Sequence, residues 1–151
     1  MKYILFAVLA LSAPFIAAEV VRYNSTFKGI QVGVSTLPDL IERHGAPLHK
    51  TVNSNNVKYS FDRFQVTIQD KTGRFNTIII FDPEYRDANG IRVGHSRMDV
   101  ESALDAKSEH EYMIDKNNGI VYWFDFNKVN RIVLAFEMRR LSRVRKYLGS
   151  E

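Results

Sequence analysis

The chain has 151 residues, no cysteine and a formal net charge of +4. Those facts exclude thiol catalysis, Cys-based zinc sites and disulfide staples, and they leave room for one compact domain or two small halves sharing a core. The positive excess sits at the ends, in Lys2 and in Arg139, Arg140, Arg143, Arg145 and Lys146, so the balanced body carries no nucleic-acid footprint.

The first residues, "MKYILFAVLALSAPFIAAEV", place Lys2 ahead of an apolar run from Ile4 to Leu11, with small residues at Ala17 and Ala18. This is the layout of a secretory signal peptide over 1–18, cut after Ala18. The apolar run is too short for a spanning helix and Pro14 follows it, so no stable membrane anchor is expected. The expected location is periplasmic or secreted.

"GIQVG" at 29–33 is followed by "STLPDLIERHGAP". Ser35 or Thr36 can cap a helix, Pro38 suits its first turn, and Gly45 with Pro47 ends it. Leu37, Leu40, Ile41 and His44 fall on one face. "VKYSFDR" and "FQVTIQD" alternate with period two, and "KTG" turns the chain into a third strand, "RFNTIIIF". The turn-rich "DPEYRDANG" (82–90) reads as a solvated linker; its carboxylates do not fit calcium-loop spacing.

"GIRVG" at 90–94 repeats the earlier phrase and again precedes a helix signal, "SRMDVESALDAKS". Ser96 is the cap, and Met98, Val100, Ala103 and Leu104 are available for burial. Then "HEYMID", "IVYWFDF" and "RIVLAFE" read as three more strands. The predicted fold class is therefore α+β: two tandem αβββ repeats, 19–88 and 89–137, with sheets able to join and helices on one face, then a basic tail at 138–151.

No motif carries chemistry. The four histidines lack metal-ligand spacing, and no nucleophile elbow, phosphate loop or dinucleotide fingerprint occurs. No metal, cofactor or catalytic residue is expected, and the chain reads as a non-enzyme. What remains is surface. If Tyr122, Phe124 and Phe126 face the helix, then Val121, Trp123 and Asp125 face away, joined by Arg131, Val133, Ala135, Glu111 and Met113. The first half would add Lys58, Ser60, Gln65, Thr67, Gln69 and Asn76, with Ile78 and Ile80. Either a partner covers that face or the tail folds back on it through Leu141, Val144 and Leu148.

The pattern of "GIQVGVSTLPDLIERHGAP" followed by a meander resembles the SmpA/OmlA (BamE)-like and β-lactamase-inhibitor-protein-like superfamily. The second copy keeps the opening but has Asp105 to Ser108 where Gly and Pro are expected. Two copies look more like the inhibitor-protein arrangement. The resemblance implies an exported protein that binds others through a concave sheet face, with Gly29, Gly33, Gly90 and Gly94 as structural positions and no catalytic residue. The resulting expectation is a module that inhibits or scaffolds an envelope protein. The alternatives are a small-ligand carrier or envelope enzyme with a site between the halves, and a structural component of an envelope assembly.

Overall fold

The computed structural model describes residues 20–54, 56–69 and 73–139. The signal-peptide expectation for 1–18 and the tail beyond 139 lie outside them, as does most of the "DKTG" turn. In chain order the elements are β1 (Val20–Arg22), β2 (Thr26–Phe27), β3 (Ile30–Gln31), α1 (Leu37–His44), β4 (His49–Val52), β5 (Asn56–Ser60), β6 (Phe64–Gln69) and β7 (Phe75–Ile80). Then follow α2 (Arg97–Leu104), β8 (Tyr112–Asp115), β9 (Ile120–Asp125), β10 (Lys128–Ala135) and β11 (Glu137–Arg139).

The two-repeat αβββ reading is corrected. One seven-stranded sheet runs in the order β4-β5-β6-β7-β10-β9-β8, with every described pairing in it antiparallel. Four of its strands precede α2 and three follow it, so the halves are not copies of one helix-plus-meander unit. The missed strand is β4, "HKTV", all exposed and with no apolar alternation to announce it. Two further two-stranded sheets, β1-β11 and β2-β3, have no counterpart in that reading. The first pairs the two ends of the described chain through Val21 and Met138.

The helices form for local reasons. The backbone N–H and hydroxyl of Thr36 both donate to Asp39 Oδ2 at 2.8 Å, and the Gly45 N–H reaches Ile41 O at 2.9 Å. In α2 the Ser96 N–H donates to Asp99 Oδ2 while Ser96 Oγ accepts from the Asp99 N–H. Its C-terminus has no glycine, and Asp105 takes the left-handed conformation itself at φ 47°. Each helix is only eight residues long, too short to stand without packing.

That packing lies on the inner face of the sheet. Leu40 of α1 and Val100 of α2 are fully buried in one cluster with Val66, Ile78, Ile80, Tyr122, Ile132 and Leu134. The loop strands add Phe27, Ile30 and Val32. Ile41 and Met98, expected on buried faces, are exposed, Met98 at 76%. The two glycine phrases make corresponding contacts: the Gly33 N–H donates to Phe75 O and the Gly94 N–H to Val129 O.

Candidate functional site: the outer face of the sheet

Strand alternation sends every second side chain away from the helices. Across the ladder Ser60 faces Gln65, Gln65 faces Ile79, Ile79 faces Val133, Val133 faces Val121 and Val121 faces Ile114. One rung further along, Arg131 faces Trp123 and Trp123 faces Tyr112. Phe81, just past β7 and 38% exposed, continues the parity of Ile79. The result is an apolar row from Ile79 to Ile114 beside an aromatic row centred on Trp123.

The aromatic row is ordered by contact. The Arg131 guanidinium lies 4.6 Å from the Trp123 ring centroid, and Trp123 lies 5.2 Å from Tyr112, tilted by 42°. His110 stacks on Tyr112 at 6.0 Å. Toward β5 the face turns polar: Lys58, Ser60, Gln65 and Thr67 are half-buried there, and the Thr67 hydroxyl meets Thr77 and Asn76. Ile114 is 40% exposed, while Ile79, Val121, Trp123, Arg131 and Val133 are half-buried. Both helices lie on the opposite side.

Several expected positions are corrected. Met113 faces Tyr122 across the ladder and is 5% exposed, so it belongs to the core; Tyr112 and Ile114 take the outward places. Ile78 and Ile80 are core residues, and Thr77 and Ile79 stand outward instead. The cause is a register shift between Thr67 and Ile68, which places Phe75 opposite Ile68 and leaves Asn76 at the irregularity. Ala135 is nearly buried. Phe126, expected on the helix side, lies in the β9–β10 turn, 96% exposed and at φ 45°. Val121, Trp123, Arg131 and Val133 come together on one surface, with Gln65 and Thr67 two strands away and Asp125 at the rim opposite Lys128.

The glycines have unequal reasons. A Cβ on Gly33, at φ 74°, would collide with the Phe136 ring, whereas nothing stands within 4 Å of the same position on Gly94, at φ 95°. Gly29 and Gly90 also hold positive φ.

The segment 82–90 is only partly solvated, because Asp82 and Asp87 are buried. Asp82 is 1% exposed, accepts from Lys28 Nζ at 2.6 Å and from the Glu84 N–H at 3.0 Å, and lies 3.5 Å from Arg63. The Lys28 hydrogen bond holds its carboxyl below the usual value, against the opposing effect of burial. Asp87 accepts from the N–H groups of Asn89 and Ile91 and from the Tyr122 hydroxyl. Burial and that carboxylate push the Tyr122 hydroxyl far up. Burial would raise the Asp115 carboxyl, but donors from Asn89, Asn118 and the Asn117 backbone together hold it low. Asp87 and Asp115 anchor the 82–90 segment to β9 and β8, Asp82 ties it to Lys28 and Arg63, and their acceptor oxygens are used.

The histidines of the described residues stand apart from one another. Among the described residues no three His, Asp or Glu side chains gather as a metal site. His44 Nε2 is 3.3 Å from Lys28 O and its ring meets Phe64, His49 lies on the edge strand, and His95 Nε2 accepts from Arg92 Nε. An open hollow of about 530 Å3 near the β5–β6 turn includes Lys28, His44, Phe61, Arg63 and Glu84, but both its cations already face Asp82. No described helix is long and apolar enough to cross a membrane.

No protein-family model matches this chain, and no curated protein matches it. Among solved structures it is similar to an extracellular protein containing an SCP domain from Bacillus anthracis str. Ames, with a TM-score of 0.47 and 9% identity. The match covers 83% of this chain and 50% of that one, so the chain spans about half the length of its neighbour. At that level the likeness transfers neither fold nor function.

Proposed function

We propose that this chain is an exported, non-enzymatic module that binds another protein through the outer face of its seven-stranded sheet. The observation that carries the reading is the pair of rows on that face, Ile79-Val133-Val121-Ile114 and Arg131-Trp123-Tyr112, left on the side away from both helices. A sheet with one face packed on a core normally presents polar residues on the other. Here the centre of the second face is apolar and aromatic, with the Trp, Tyr and Arg that dominate binding energy in protein interfaces. The leader-like sequence at 1–18 supports export. An inhibitor or scaffold of an envelope protein is the role this surface fits.

The test is site-directed photo-crosslinking in the producing cell. A benzophenone side chain is placed at Val133, at the centre of the face, and at the exposed Glu42 on α1. A discrete covalent adduct with one protein from Val133 but not from Glu42 is expected. Adducts from Glu42 alone, or from neither position, would remove the sheet face as the contact surface.

A further inference from the structure

Among the described residues two arginines lie over aromatic rings, and they use their donors differently. Arg97, stacked 4.2 Å from the centroid of Phe124, donates to Asn127 Oδ1, Ser108 O and His110 O. Arg131, stacked on Trp123, has no hydrogen-bond acceptor and no carboxylate partner among the described residues. It is half-buried, with Val133 two residues along its own strand and Trp123 opposite on β9, so part of its hydration is already lost. We infer that the face selects a carboxylate flanked by apolar side chains, presented by the partner protein, with Arg131 as its receptor. This inference rests on the sheet-face reading above.

The guanidinium presents a planar fork of donors that matches a carboxylate in bidentate fashion. Contact with the Trp123 ring restrains the side chain before binding, so less side-chain freedom is lost when the pair forms. The surrounding rows exclude water and strengthen the pair, and they require apolar neighbours around the acid. One guanidinium suits a single negative charge. A phosphate or a polyanion would bring charge that the Ile79-Val133-Val121 row cannot balance. A second copy of this chain is disfavoured, because its face would bring Arg131 and Lys58 against the same cations, while Asp125 stands at the rim opposite Lys128.

Trp123 is the sole tryptophan, so its emission reports occupancy of the face directly. The probes are two blocked synthetic peptides with a Leu-Val-Glu-Val-Leu core and its Leu-Val-Gln-Val-Leu counterpart. They are titrated into the full chain and into Arg131→Met and Arg131→Lys, with thermal melts to establish that each variant is folded. The Glu peptide is expected to bind about tenfold or more tightly than the Gln peptide, the gain of a hydrogen-bonded charge pair. Arg131→Met should abolish that preference and Arg131→Lys should keep part of it. Equal binding of the two peptides, with the Trp123 response intact, would overturn the carboxylate inference and leave the sheet face standing. A preference that survives Arg131→Met would overturn it too. A silent Trp123 with both peptides to millimolar concentration, or sedimentation showing that the face closes on a second copy, would overturn it as well.

Discussion

Replacing Phe126 with Asn should stabilise this protein. Phe126 and Asn127 form the β9–β10 turn with φ of 45° and 64°, the positive pair that two-residue hairpin turns demand. An ordinary Cβ in that region crowds the following carbonyl at a cost of about 1 kcal/mol, and Asn relieves it by local hydrogen bonding. Normally a large aromatic would offset the strain by burial. Phe126 is 96% exposed, so its ring returns almost nothing. The net gain on Phe126→Asn is therefore about 1 kcal/mol, or about 4 °C in melting temperature for a domain of this size. Circular dichroism melts of wild type, Phe126→Asn and Phe126→Ala give the answer, with Ala gaining less because it has no such hydrogen bond. A fall in melting temperature for Phe126→Asn would refute the reasoning, showing that the ring packs against part of the chain.

The glycine pair should respond unequally. Gly33→Ala meets both a positive φ and the Phe136 ring, so it should cost about 2 kcal/mol or more, against about 1 kcal/mol for Gly94→Ala; equal melting shifts would contradict this. Met113→Ala, opening a core cavity, should cost about 2–4 kcal/mol, while its exposed neighbour Ile114→Ala should cost under about 1 kcal/mol, and a reversed order in denaturant titrations would put the β8 register in doubt. Asp82 has a folded carboxyl below its ordinary value, held there by Lys28, so its contribution is present above about pH 4 and is lost as pH falls through the folded value. Asp82→Asn should lower the melting temperature at pH 7 and flatten the acid decline; an unchanged acid slope would exclude Asp82 as its source. Tyr85 is pushed up to about 12 by burial, then by Asp87, so its contribution holds below about pH 10 and fades as pH rises toward 12. Tyr85→Phe should remove that alkaline loss, measured by melts across the range.

Alternation was legible where polar and apolar residues truly alternate. "FQVTI" in β6 and "IVYWFD" in β9 each point one set of residues inward, and the buried positions match that set. It was not legible where three apolar residues stand together. "III" at 78–80 and "YMI" at 112–114 read equally well in either parity, and only the register shift in β7 and the pairing of Met113 with Tyr122 decide it. β4 was hidden because an exposed edge strand needs no apolar face. Phe126 reads as strand because hydrophobicity says nothing about φ. The buried carboxylates were missed for a different reason: Asp82, Asp87 and Asp115 sit in turn-rich segments whose composition also describes solvated loops. Burial there depends on donors such as Lys28 and Asn89, brought in from 26 to 54 residues away.

The central claim is that the outer sheet face binds a protein while the fold stands without it. The direct measurement is stoichiometric co-purification from the producing cell, comparing the intact chain with Trp123→Ala and Val133→Lys. The account predicts one partner held by the intact chain and lost from both variants, whose melting temperatures stay within a few degrees of wild type. A partner retained equally by both folded variants would place binding elsewhere on the molecule and contradict the account.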